Sequence, residues 1–429
     1  MDLLRIATAG SVDDGKSTLI GRLLFDSKSL ADDVMAAVED ASRRHHGDYM
    51  NLALVTDGLR AEREQGITID VAYRYFSTPV RKFILADTPG HVQYTRNMVT
   101  GASTAEVALI IVDARNGVVE QSRRHAVIAS LLGIDHIVVC VNKMDLADYD
   151  QQVYESIRAE FTALMARLGV YDVVFIPMSA LHGDNVVEPS ASMPWYHGEP
   201  LLHQLERVPV RDGLDALPLR LPVQYVVRPH RAVHHDYRGY AGSIASGVLR
   251  IGQRVCILPS GRESVVTAID APWGLVEEAS APDAVTVRIA DDLDITRGAM
   301  LCALDEPPQV VQTLQAVVCW MDERSALRQG DVYRIKHTTR SAKAMITSID
   351  AKFDITSLTG EPNVESLVLN EIGRVSLKVS APLACDDYTR NRVTGSFVLI
   401  NDATNATVAS GMIGEPRFSF NPLGNPAAH

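Results

Sequence analysis

The run Gly10-Ser11-Val12-Asp13-Asp14-Gly15-Lys16-Ser17 satisfies the pattern G-x-x-x-x-G-K-[ST], a composition suited to holding a polyphosphate. A glycine-rich loop can wrap phosphates and aim several backbone N–H groups at them, and the start of the following helix adds partial positive charge. Lys16 would meet the β and γ phosphates and Ser17 would ligate Mg²⁺, with Thr18 beside it in the first helical turn. The apolar LLRIATA before the loop and the helical STLIGRLLFD after it supply the strand–loop–helix context that separates this run from a chance match.

Three further motifs sit at the ends of apolar runs. Asp87-Thr88-Pro89-Gly90 follows KFILA, so Asp87 is expected at the carboxyl edge of a sheet, where open α/β sheets bind ligands. There it could hold Mg²⁺ through water while the Gly90 N–H faces the γ-phosphate. Taken alone, Asp-x-Pro-Gly is also ordinary turn chemistry. Asn142-Lys143-Met144-Asp145 ends the run HIVVCV and sets the base preference. A carboxylate at Asp145 can accept from both guanine N1–H and the 2-amino group, which adenine does not offer. Ser179-Ala180-Leu181 follows the next strand and would bring a backbone N–H to guanine O6. Each of these motifs has a bland reading as a helix cap or turn, but four in order, each at a strand end, point to a GTP site.

The elements that must position these residues are visible as a rhythm. From residue 3 to about 207, strand-length apolar runs (LLRIATAG, RKFILADTPG, VALIIVDA, HIVVCVNK, DVVFIPMSA) alternate with stretches of helix length. That alternation predicts a mainly parallel sheet with helices on both faces. After a connection marked by Pro and Gly over Val208 to Leu217, the pattern changes to short alternating segments such as LPVQYVV and SVVTAID. A second β-rich stretch begins near 310 with VVQTLQAVVCWM. The expected architecture is a multidomain chain: an α/β P-loop GTPase domain over 1–214 and two all-β barrels over 215–308 and 309–429.

Composition narrows the function classes. With 41 basic and 53 acidic residues the chain carries a formal charge of −12 and no long Lys/Arg run, which disfavours non-specific nucleic-acid binding. The five cysteines are scattered without a Cys-x-x-Cys or a zinc-like histidine spacing, so they read as reduced thiols of a cytoplasmic protein. The N-terminus MDLLRIATAG has no export signal, and no apolar run is long enough to span a bilayer. His45-His46 and His234-His235 have no ligand at metal spacing and read as solvated or structural.

Together these motifs resemble the translational GTPase superfamily, in which elongation factor Tu and eukaryotic elongation factor 1A combine one G domain with two β-barrels. Within it, GSVDDGKSTLIGRLL, DGLRAEREQGITIDVAYRYFST, RKFILADTPGHVQYTRNMVTGAST and LGIDHIVVCVNKMDL are similar to the GTPase subunits of bacterial ATP sulfurylase, the sulfate adenylyltransferase large subunits. The likeness is dense over residues 4–147 and thinner in the barrels. Asp14 departs from the elongation factors, whose loops typically carry His or Ser there. Tyr73, Tyr75 and Phe76, with the segment Gln93 to Met98, also look like sulfurylase.

The resemblance implies several roles. Thr68 corresponds to the switch threonine that joins Mg²⁺ only when γ-phosphate is present. His91 corresponds to the histidine that positions the attacking water, with Val12 and Ile67 as the apolar pair beside it. Trp195 looks like the family's aromatic that closes the G domain by packing. The implied activity is GTP hydrolysis with GTP and Mg²⁺ as cofactors, coupled to synthesis of adenosine 5′-phosphosulfate on a smaller catalytic subunit, with no nucleic acid or membrane involved. Some members carry a fused adenylylsulfate kinase with its own glycine-rich loop; no second such loop follows Lys16. The rival expectation, an elongation factor carrying aminoacyl-tRNA, calls for a basic face across the barrels, and no such cluster occurs beyond residue 215.

Overall fold

The computed structural model describes residues 2–28, 52, 70–90, 95–210, 213–228 and 237–418. The chain divides into two units, one of residues 1–210 with 355–358 and one holding the rest.

The first unit is built on a six-stranded sheet. Its strands are β1 (Leu3–Gly10), β2 (Ala72–Ser77), β3 (Lys82–Asp87), β4 (Val107–Asp113), β5 (His136–Asn142) and β6 (Val173–Pro177). They lie in the order β2-β3-β1-β4-β5-β6, all parallel except the edge strand β2, which runs antiparallel to β3. β4 is buried at every position, as a strand covered on both faces must be. The helices are α1 (Lys16–Asp26), α2 (Thr95–Ala102), α3 (Glu120–Leu131), α4 (Gln151–Arg167) and α5 (Leu201–Arg207).

Alternation sorts the side chains. Leu4, Ile6, Leu85, Leu109 and Ile111 point to one face and pack with Leu19, Ile20 and Leu23 of α1 and Leu201 and Leu205 of α5. α2 lies against β1 and β3, and α3 against β1 and β4. The register is what matters for function: Thr8 pairs with Asp87, Gly10 with Ile111, Asp113 with Asn142, and Val141 with Pro177. The carboxyl ends of five parallel strands therefore share one edge. Because β3 and β4 flank β1, that edge holds the crevice where successive connections diverge.

The second unit is all β. An eight-stranded antiparallel sheet spans Arg220 to Ala303 around Leu221, Val255, Ile257, Ile269, Val287 and Leu301. Further on, Val332–His337 pairs with both Ser396–Ile400 and Arg340–Asp354, which closes six strands into a barrel around Trp320, Ile335, Leu377 and Leu399. Inside this unit Arg220 makes a two-pronged pair with Asp386, both bonds at 2.9 Å, and Thr394 Oγ1 donates to Asp386 at 2.6 Å. Burial alone would raise the Asp386 carboxyl, but Arg220 and Thr394 outweigh it and hold it below the usual range. A GTPase-type α/β domain thus precedes two β-barrel domains. All five cysteines are buried free thiols, and no described helix is long and apolar enough to cross a membrane.

Candidate functional site

The loop after β1 turns sharply because Gly15 sits at φ 93°, in the left-handed region. A Cβ there would fall 2.4 Å from Asn142 Nδ2, so both the turn and the close approach of β5 require glycine. α1 then starts at Lys16, with Leu19 N–H bonding to Gly15 O at 2.9 Å. The N–H groups of Lys16, Ser17 and Thr18 precede the first intrahelical bond and face the loop end of the helix, which is what an anion needs.

Lys16 is 7% exposed and donates from Nζ to the carbonyls of Gly10 at 2.8 Å and Ser11 at 3.0 Å. Burial pushes its pKa down, against the pull of Asp87, Asp14 and Asp13. Asp14 turns inward, and its carboxylate accepts the Ser11 N–H at 2.5 Å. Burial raises its pKa to about 6, helped by repulsion from Asp113 and opposed by the Ser11 N–H and Lys16. Asp87 is buried at the end of β3, with Thr8 Oγ1 3.4 Å from its carboxylate. Thr88 Oγ1 donates to Thr8 O at 2.5 Å and so pins the start of the DTPG turn to β1. Gly90 is pressed against the loop: a Cβ there would lie 2.4 Å from both Gly10 O and Lys16 Nζ. Lys16, Ser17, Asp87 and Gly90 are thus collected at one strand edge, while Val12 stands outward on the loop.

On the other side, Asn142 is a brace. Its Nδ2 donates to Asp14 O at 2.8 Å and its Oδ1 accepts the Ala180 N–H at 2.9 Å, so it joins the phosphate loop to the Ser179-Ala180-Leu181 turn. The Ala180 N–H is therefore committed to Asn142. Lys143, at φ 61°, places Nζ 2.9 Å from Asp113 and also donates to Asp13 O. Asp145 lies in the short 3₁₀ turn Met144–Ala147, half-buried, with His182 Nε2 at 3.9 Å. Ser179 is fully buried, and its Oγ accepts the His182 N–H at 3.3 Å. Trp195 packs on Tyr154 with ring centroids 5.3 Å apart and donates to Tyr149 O at 3.1 Å. Thr68, His91, Ile67 and the two histidine pairs lie outside the described residues.

Three contributors were not apparent from the sequence. Asp113, at the end of β4, bonds Arg115 at 2.6 Å as well as Lys143. Burial would raise its carboxyl, but the two cations prevail and bring it to about 2. The signal was available, since VALIIVD ends in an aspartate as KFILAD does. Arg22 of α1 donates to Ala180 O at 3.2 Å and Leu181 O at 2.5 Å, a contact no local pattern announces. Gln121 of α3 donates to Gly90 O at 3.0 Å.

Residues 1–222 match the family of the elongation factor Tu GTP binding domain, and residues 313–414 match the GTP-eEF1A C-terminal domain-like family. The chain belongs to the translational GTPases. The "Bifunctional enzyme CysN/CysC" of two Mycobacterium tuberculosis strains, CDC 1551 and H37Rv, is 56% identical over 427 residues, covering 100% of this chain and 70% of the relative. Among solved structures, sup35 complexed with GDP covers 97% of this GTPase and 94% of its own chain, at 22% identity and a TM-score of 0.44.

The donor set suits a hard divalent cation: a Ser17 hydroxyl and an Asp87 carboxylate are oxygen ligands of the kind Mg²⁺ takes beside phosphate oxygens. Among the described residues no group of three or more His, Cys, Asp or Glu gathers as an all-protein metal cage, so phosphate oxygens would have to complete such a site.

Proposed function

We propose that this GTPase is the regulatory subunit of a sulfate adenylyltransferase, coupling GTP hydrolysis to the synthesis of adenosine 5′-phosphosulfate from ATP and sulfate on a separate catalytic subunit in the cytoplasm. The observation that carries the reading is 56% identity to CysN/CysC along the whole chain, in line with the sulfurylase-like motifs around the loop, Gly90 and Asp145.

The chemistry follows from the cradle. An arriving polyphosphate replaces the Gly10 and Ser11 carbonyls as the partner of Lys16, a stronger exchange because both partners are then charged. Ser17, Asp87 and Thr68 are the residues that would hold Mg²⁺, which would supply charge neutralisation for the phosphates. His91 holds the attacking water in line, accepting its hydrogen bond while the P–O bond to the leaving diphosphate loosens. Asp145 reads the guanine edge. Thr68 is the residue through which a switch segment would sense the γ-phosphate and pass that state to a partner touching it, and the catalytic subunit is that partner in a heteromeric complex.

His91→Ala is expected to slow GTP turnover by roughly a hundredfold with nearly normal GTP affinity, as for loss of a positioned catalytic group. For the coupling, the chain is mixed with a bacterial sulfurylase catalytic subunit, and GTP hydrolysis and adenosine phosphosulfate are followed together. GTP breakdown rising only with ATP and sulfate both present supports the proposal. Breakdown indifferent to that partner, with GTP-dependent binding of aminoacyl-tRNA instead, replaces it with the elongation-factor reading.

A further inference from the structure

Gly90 has no side chain to restrain its ψ, yet its carbonyl is held. It accepts from Gln121 Nε2 at 3.0 Å, and the same nitrogen lies 3.1 Å from His125 Nε2, one turn further along α3. A carbonyl only accepts, so the group facing it must be the amide NH₂ and not the amide oxygen. That NH₂ has a second hydrogen, directed at His125 Nε2, which must then be the bare ring nitrogen. The ring is 1% exposed, and burial with Lys16 and Arg124 nearby lowers its pKa to about 3, so it stays neutral with its hydrogen on Nδ1. His125 Nδ1 is buried and has no hydrogen-bond partner among the described residues.

We propose that Gln121, locked in one orientation by His125, is the positioning residue that holds Gly90 in place at the γ-phosphate edge for GTP hydrolysis. The proposal rests on reading the Asp87–Gly90 edge as the γ-phosphate edge. Gly90 lies against Gly10 and Lys16 on one side, and the Gln121 bond to its carbonyl holds it from the other. With its hydrogen on Nδ1, His125 holds the Gln121 amide in this orientation, since a flip would turn the amide oxygen towards both the Gly90 carbonyl and the bare Nε2.

The test uses the chain without any partner, measuring single-turnover GTP hydrolysis, GTP affinity and melting temperature for the wild type, Gln121→Leu, His125→Leu and the double variant. Gln121→Leu is expected to slow hydrolysis about tenfold with affinity within about twofold, the pattern of a lost transition-state alignment. His125→Leu slows it less, and the double variant is no slower than Gln121→Leu, because the histidine acts only through the glutamine. Gln121→Glu, which keeps the length but turns an acceptor on the carbonyl, decides the matter if the leucine variant does not fold; it too must be slow. Wild-type rates in either Gln121 variant, parallel loss of rate and affinity, or multiplying effects in the double variant overturn the relay. A wild-type chain that hydrolyses no GTP either alone or with the catalytic subunit, ATP and sulfate sinks the GTPase reading and the relay with it. An active wild type beside an indifferent Gln121→Leu sinks the relay alone.

Discussion

On the phosphate side of the cradle, burial dominates the charged groups: Lys16 is pushed down, Asp14 is pushed up to about 6, and each is satisfied by the backbone of its own loop. On the base side the balance is reversed. Asp113 is held at about 2 by Arg115 and Lys143, and Asn142 uses both ends of its amide to join the loop to the turn at Ala180. On the proposed reading the base side is assembled before any nucleotide arrives, whereas the phosphate side holds charges in surroundings that a polyphosphate and its cation would improve. Binding energy should come chiefly from the first region and selectivity from the second.

The largest break in that contrast should come at Lys16. Lys16→Met keeps the aliphatic stem and removes the charge, and is expected to weaken GTP roughly a hundredfold or more, from loss of charge-assisted bonds to two phosphates. Calorimetric titration that finds normal affinity would remove Lys16 from the phosphate site. Next comes Asp145→Asn, which presents a donor to the donor edge of guanine. GTP affinity is expected to fall roughly a hundredfold, while xanthosine triphosphate, with an acceptor at position 2, becomes the better ligand. A variant that still prefers GTP in direct competition would refute the base contact.

A subtler change tests whether the base side is truly prebuilt. Asp113→Asn preserves volume but leaves Lys143 without the anion 2.9 Å away. GTP affinity should drop about tenfold, mainly through faster release, since an unbraced lysine would no longer hold the place proposed for it beside the base. Stopped-flow displacement of a fluorescent guanine nucleotide would show it; unchanged release would make Asp113 a bystander.

These contrasts also mark what could be seen in the sequence. The loop was legible because its glycines and Lys16 answer to local geometry, the strand before it and the helix after it. Asn142 and Asp145 were legible for the same reason, at the end of an apolar strand. Asp113 stood in plain view at the end of VALIIVD, but its value depends on the β4–β5 register that sets it beside Asn142, and hence near Lys143. Arg22 and Ala180 are 158 residues apart, and Gln121 and Gly90 are 31, so neither contact has a spacing to betray it. The barrels showed their alternation but not their closure, because the double pairing of Val332–His337 is a property of the folded sheet.

A change in stability and not in affinity sets Asp14 against Asp113 through pH. Asp14 stays protonated in the folded chain up to about pH 6, but in the unfolded chain only up to 3.8, the ordinary value for its carboxyl, so folding takes up a proton between those values. Stability from this group falls as pH rises from 3.8 to about 6 and stays low above it, a cost of roughly 2–3 kcal/mol at neutral pH. Asp113 behaves oppositely: its folded value near 2 lies below 3.8, so its contribution is present above pH 3.8 and is lost as pH falls towards 2. Asp14→Asn keeps an acceptor for the Ser11 N–H without a charge to bury. The melting temperature of the unit that holds it should exceed the wild type's by several degrees at pH 7.5, given about 2–4 °C per kcal/mol for a unit of this size, with the advantage gone below pH 4. Asp113→Asn should melt lower than wild type at pH 7.5 and match it only in strong acid. Thermal scans of both variants from pH 3 to 8 decide the point, and parallel curves for the two would show that the phosphate and base sides do not differ in the way their charges are held.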